Sequence, residues 1–238
     1  MFQSMLIVLK KSELNSTGYM NSMKTTKIST NVGLGVIILV LIAISGFFLT
    51  KFVVNEMQVD EKQNLLMRAN TIAVLLEPRL VTDLDGNESD LSKESYQELK
   101  NHMRAIRAAN DDIRFVYIMG LNEYGQQFFY VDSEDPASFD YSAPGDLYLD
   151  ATARDIMNHQ LGITYADGPY TDSWGEWFSA YAPILDENDD VEGMLGLDIA
   201  AERVLLRISI VKKAIIMLFS LMFYITLLLV LRTQRIIK

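Results

Sequence analysis

The chain has 238 residues, with 31 Asp and Glu against 21 Lys and Arg, a net charge of −10, 50% hydrophobic residues and no cysteine. The cysteine count excludes disulfide staples, and the acidic balance excludes nucleic acid as a partner, since the basic clusters lie only beside two apolar runs. The charge is partitioned: residues 1–31 carry +3, residues 51–213 carry −16 and residues 232–238 carry +3.

Residues 1–31 are polar, with four lysines against Glu13, and read as a cytoplasmic N-terminal segment. Met23 opens an ordinary anchor start, MKTTKIST, so the first 22 residues read as disordered or as lying upstream of the true start. The runs 32–50 and 214–231 then hold 19 and 18 residues without an ionisable group, close to the ~20 that a helix needs to cross a bilayer. Both are apolar on every face rather than along one stripe, which separates them from surface helices of soluble proteins. The first exceeds the ~7–15 residues of a signal-peptide core and lacks a small-x-small cleavage site, so it reads as a retained anchor. Positive flanks stay inside, which predicts a two-pass protein of the bacterial inner membrane with both termini cytoplasmic and residues 52–208 outside. Arg203, Arg207, Lys212 and Lys213 sit on the outer side of the second run against that rule; the lysines can snorkel to lipid headgroups.

Between the runs lie 157 residues, the size of one domain. Leu65, Ala69, Ile72 and Leu76 recur at helical spacing and predict a long helix leaving the membrane and ending before Pro78; the same stripe reads as the seam of a homodimer. Ser92 as N-cap, then Tyr96, Leu99, Met103 and Ile106 on one face, predict a second helix. Residues 113–119 and 126–132 are aromatic and β-branched around a turn at 122–125, a hairpin. A short helix over 148–158 and strands at 163–165, 177–185 and 191–199 complete the order. The fold class is α+β: a mostly antiparallel sheet of five or six strands, with the long helix packed on one face.

At this point residues 168–200, GPYTDSWGEWFSAYAPILDENDDVEGMLGLDIA, resemble the closing half of a Cache domain, the PAS-like extracytoplasmic sensor of bacterial receptors. The resemblance covers the order and length of all 157 residues, although its motif occupies only about 30. It implies a ligand pocket on the sheet face opposite the long helix, roofed by loops. It also implies signalling through the second membrane helix to a histidine kinase, diguanylate cyclase or chemotaxis output. Only residues 232–238 follow that helix, too few for a catalytic domain. RTQRIIK resembles the first residues of a HAMP linker, as in a truncated receptor, and equally a basic stop-transfer flank.

Alternation in the last strand groups Met194, Gly196 and Asp198 on one face, and in the preceding strand Trp177, Ser179 and Tyr181. These, with Tyr117, Tyr130 and Asp132 from the hairpin and Tyr170 and Trp174 from an expected roof loop, form the candidate ligand site. Each has a plainer role: aromatic stripes are usually core, Asp198 can cap a following helix, and Asp132 can open a turn. Amino-acid-binding members of the family carry an Arg near a Trp in this region to clamp the ligand carboxylate. No arginine lies between Arg154 and Arg203, so a small cationic or neutral ligand is expected. Asp83, Asp85 and Asn87 offer oxygens at alternate positions, with Asp90 three further on, but Glu88 stands where a calcium loop needs glycine, and a solvated loop is the expectation. No metal, cofactor or catalytic constellation is assembled from His102, His159 and the scattered carboxylates. The expected function is a sensory receptor for a small ligand, with lipid and a cytoplasmic signalling module as partners. The alternatives are an accessory membrane protein presenting its acidic domain to a protein partner and, more distantly, a membrane-tethered hydrolase.

Overall fold

The computed structural model describes residues 2–235; the side chains of residues 2–31 and 234 lie outside what it describes, and with them the packing of the N-terminal segment and the start-site question. The chain divides into two compact units, residues 1–54 with 210–238 and residues 55–209. In the first unit, stretches of helices α1 (Phe2–Leu75) and α5 (Ala201–Arg235) are long and apolar enough to cross a membrane, with mean hydropathies of 2.8 and 2.7. Their apolar windows are only 11% and 0% buried, unlike the core helix of a soluble protein.

The second unit is α+β, as expected from the sequence. After α1 come a short helix α2 (Pro78–Thr82), a 3-10 turn (Glu88–Ser92), α3 (Glu94–Ala108), β1 (Ile113–Leu121), β2 (Gln127–Asp132), α4 (Ala153–Gln160), β3 (Tyr165–Thr171), β4 (Glu176–Leu185) and β5 (Val191–Ala200). The five strands form one antiparallel sheet in the order β2-β1-β5-β4-β3. The two central neighbours, β1 and β5, are thus far apart in sequence, and β5 runs into α5 with no intervening residue.

Local chemistry explains the element ends. Pro78 lacks the N–H needed to continue α1 and supplies the first position of α2. Thr152 caps α4 in a reciprocal box, its hydroxyl accepting from Asp155 N while the Asp155 carboxylate accepts from Thr152 N. Ser92 is not the cap of α3: it lies in the 3-10 turn, and Lys93 occupies the cap position with no side-chain capping bond.

Both sheet faces are buried. Val116, Ile118, Phe178, Ala180, Ala182, Leu195 and Leu197 alternate onto one face and are fully buried, as are Leu65 and Ala69 of α1 and Leu99 and Met103 of α3. Of the stripe Leu65, Ala69, Ile72 and Leu76, three side chains are buried inside their own domain and Ile72 is half-buried. The opposite face carries Phe115, Tyr117, Met119, Phe129, Tyr165, Trp177, Tyr181 and Met194. Aromatic residues there stack edge to face at 5.0–5.6 Å for Phe115–Trp177 and Tyr117–Phe129, the arrangement the ring quadrupoles favour.

A candidate ligand site on the aromatic face

Register builds the site. Phe115, Asp198 and Ser179 lie side by side across β1, β5 and β4, and one step along lie Tyr117, Gly196 and Tyr181. Gly196 has no side chain between the two tyrosines, so their rings lean over it. Tyr117 donates to Asp198 Oδ1 (3.1 Å), and its hydroxyl oxygen lies 3.4 Å from the Tyr181 hydroxyl. A Cβ at Gly196 would overlap the Tyr117 ring; the space that glycine leaves above the sheet is filled by a neighbour rather than held for a ligand. Gly196→Ala is expected to cost about 1–3 kcal/mol by overpacking, read as a lower midpoint in urea unfolding.

On the sheet edge, Gly168 and Pro169 form a bulge, because Asp167 pairs with Ser179 and Tyr170 with Trp177. Tyr170 lies inside β3 rather than in a loop, and its hydroxyl bonds to Ser179 Oγ (2.8 Å) and to the Tyr181 hydroxyl (3.0 Å). Gly168, at φ 130, is required there, since a Cβ would strike the backbone of Phe178 and Trp177.

The β3–β4 turn forms the roof around Asp172. One carboxylate oxygen accepts from Trp174 N (2.9 Å), Gly175 N (3.0 Å) and Trp177 Nε1 (2.8 Å), and the other accepts from the Tyr148 hydroxyl (3.3 Å). This holds Trp174 6.0 Å from Phe129 and 6.1 Å from Tyr148, ring to ring. Beneath them lies a cavity of about 30 Å³, lined by these three rings with Phe115, Tyr117 and Ser142 and by Asp132, Asp140, Asp172 and Asp198. It has room for a water or two, so admitting any larger ligand displaces the roof.

Four carboxylates line the cavity, and three already have strong partners. Asp132 accepts from buried Lys100 Nζ (2.7 Å), Ser142 N (2.9 Å) and Glu134 N (3.2 Å). Asp140 accepts from Arg114 Nη2 (2.5 Å), and Asp172 takes the donors named above. Asp198 has no basic partner. Burial pushes its pKa up to about 7; Ser179 and Tyr117 oppose that rise, and the Asp172 charge adds to it. Burial also pushes Asp132 up and Lys100 down, each partly restored by the other. The phenols of Tyr117 and Tyr181 are driven well above their ordinary value by burial, then by neighbouring charge, and act as neutral donors.

The structure brings Tyr117, Asp132, Trp174 and Asp198 to the cavity wall, and places Tyr170, Trp177, Ser179 and Tyr181 in the layer supporting it. Tyr130 does not belong to the site. Ile118 pairs with Val131 and Met119 with Phe129, so Tyr130 is the extra residue of a bulge. Its ring lies on the other side, 4.7 Å from Phe128 and over Gly120. The wall residues that the sequence pattern does not reach are Phe115, Phe129, Asp140, Ser142, Tyr148 and Asp172. The spacing of Asp172, two before Trp174 and three before Gly175, is a turn-forming pattern that could have singled it out.

Two further sequence features resolve elsewhere. Asp90 accepts from the N–H groups of Asp85, Gly86 and Asn87 and pairs with Lys93 (2.9 Å), so the acidic loop is closed on itself. Among the described residues no cluster of three or more metal-ligating side chains forms. His159 is buried beside Gln127 (3.3 Å), its pKa held near 4 by burial, and is no part of the cavity.

No protein-family model and no curated protein matches the chain. Among the solved structures similar to it are sensor domains. The Escherichia coli DcuS sensor domain is 19% identical over 62% of this chain and 96% of its own, with a TM-score of 0.39. The ligand-binding domain of the Campylobacter jejuni chemoreceptor Tlp3, in complex with 4-methylisoleucine, is 15% identical over 68% of this chain, with a TM-score of 0.37. The extracellular domain of mmHK1S-Z2, assigned as a histidine kinase, is 13% identical over 68% of this chain, with a TM-score of 0.40. The chain spans 62% of the length of each of the last two, less than two thirds. At these TM-scores no residue or ligand is carried over from them.

Proposed function

We propose that the chain is a membrane-bound sensory receptor whose extracytoplasmic domain, residues 52–208, binds a small cationic ligand between the aromatic sheet face and the β3–β4 turn. The observation that carries this reading is Asp198: a buried carboxylate on the cavity wall without a basic partner, among aromatic rings and beside three carboxylates that are already satisfied. Carboxylate plus ring faces suits an ammonium group through charge and cation–π attraction. No lysine or arginine lines the cavity to receive an anion. Because β5 passes from Asp198 through Ala200 directly into α5, displacement of the roof and of Asp198 is transmitted to that helix and onward to a cytoplasmic signalling module. Ligand must bind the two states unequally for this to work.

The accessory-protein alternative calls for exposed Trp174 and Trp177 without a cavity; Trp177 is 6% exposed and Trp174 packs against Phe129 and Tyr148, which favours the receptor.

The test is thermal unfolding of the full chain in lipid nanodiscs against matched amines, alcohols and carboxylates of equal size. Amines are expected to stabilise it, and Trp174→Ala to weaken their effect about tenfold through loss of the ring face. Stabilisation by carboxylates alone would overturn the assignment of charge.

A further inference from the structure

Arg104 and Arg107 in the last turns of α3, Arg114 on β1 and Arg203 in the first turn of α5 line one open cleft of about 540 Å³. Asp111 and Asp112 are the only acidic residues among its lining, so four guanidinium groups face two carboxylates in a region whose net charge is −16. Two of the four, Arg104 and Arg203, make no hydrogen bond to a carboxylate. Arg107 Nη1 and Arg114 Nη1 donate to the same oxygen of Glu134 (2.6 and 2.5 Å), and Arg114 also reaches Asp140 (2.5 Å). Asp112 is engaged by both Nη groups of Arg68 (2.9 and 2.8 Å). Arg104 lies 3.9 Å from Asp135, beyond hydrogen-bond reach, with both side chains well exposed. Arg203 donates to the backbone carbonyl of Asp111 (2.8 Å) rather than to a carboxylate. Each guanidinium has five donors, more than the bonds named here use, and the N-terminus of α5 adds partial charge of the same sign.

We propose that this cleft is a second binding site, for a phosphate-type anion. Planar guanidinium forks match the paired oxygens of phosphate, and Arg104 and Arg203 bring two forks that are not hydrogen-bonded to a carboxylate to the same cleft. The cavity under Trp174 has the opposite electrostatic character, so the two sites select ligands of opposite charge. Phosphate chemistry has two sources here, a soluble phosphate and a phospholipid headgroup.

The test uses the full chain in nanodiscs. Thermal unfolding is followed in phosphatidylcholine while inorganic phosphate replaces chloride at constant ionic strength, and separately in phosphatidylcholine mixed with phosphatidylglycerol. A rise of a few °C with phosphate identifies the soluble source, and a rise only with phosphatidylglycerol identifies the headgroup. In either case the double variant Arg104→Gln/Arg203→Gln is expected to lose about tenfold in apparent affinity, while Arg154→Gln, whose partner Asp167 lies outside the cleft, keeps the wild-type response. Absence of both rises, or a double variant that responds like the wild type, overturns the proposal. Amine binding under Trp174 is expected to persist in the double variant, so failure of this site and failure of the cationic-ligand site are read separately.

Discussion

Asp198→Asn is expected to abolish stabilisation by cationic ligands and to remove a loss of domain stability between about pH 4 and pH 8. The folded-state pKa of Asp198 is about 7 against an ordinary 3.8, raised first by burial. A group whose folded pKa lies above its unfolded value favours the folded state while it is protonated. Its contribution is therefore fully present below the unfolded pKa, and it is lost as pH rises through the folded one. Each unit of difference corresponds to ~1.36 kcal/mol, so the loss approaches roughly 4 kcal/mol at full ionisation. Groups such as Asp112, held low by Arg68, run in the opposite sense. The informative quantity is therefore the difference between wild type and variant in urea unfolding at pH 5 and pH 8. The variant should gain on the wild type as pH rises. A pH-independent difference would place Asp198 in an ordinary carboxylate environment and remove the argument for it as the ligand's counter-charge. Calorimetry provides a second reading: an ammonium ligand favours the ionised carboxylate, so binding near pH 6.5 should release protons and show an enthalpy that varies with the buffer.

Lys100→Met is expected to cost about 3–5 kcal/mol near neutral pH, because it leaves the Asp132 carboxylate buried without its cation. Lys100 is 3% exposed and Asp132 5% exposed, with 2.7 Å between Nζ and Oδ1. Lys100 also lies 4.6 Å from the centre of the Tyr141 ring. Asp132 cannot simply turn to water, because its other bonds fix the backbone at Glu134 and Ser142. In the variant, protonation becomes its only relief, so the cost should be smaller at pH 5 than at pH 8. Trp174 and Trp177, the only two tryptophans, both pack on the aromatic face, so their fluorescence reports unfolding of the region that the pair supports. A loss below about 1 kcal/mol at both pH values would show that this pair behaves as a solvent-screened one.

The same two residues show where the sequence stops being legible. Asp132 sits at the end of an aromatic strand before a turn, and nothing within several residues identifies Lys100, 32 positions earlier, as its partner. The sequence therefore pointed to Asp132 as a ligand contact, whereas in the fold its oxygens are occupied and it acts as a positioning residue for the cavity wall. Asp198 was legible in part: strand alternation put it with Gly196 on one face, beside Trp177, Ser179 and Tyr181 of the next strand, and that grouping is the one observed. A glycine in a strand suggests open space above the sheet, but at Gly196 the ring filling it comes from Tyr117 on a strand about 80 residues away.

By itself the sequence determined the two apolar runs, the division of charge, the order of helices and strands, and the shared face of β4 and β5. These depend on local rules: the length needed to cross hydrocarbon, the periods of 3.6 and 2, and the backbone limits of proline and glycine. Only the tertiary structure decided that the Leu65–Ala69–Leu76 stripe is internal, that the bulge at Tyr130 turns it to the other face, that Asp172 organises the roof, and that four arginines from three elements share a cleft. Those outcomes depend on which distant segment supplies the facing atom, and on how burial then changes the cost of each charge. A one-dimensional pattern of residue types does not carry that information.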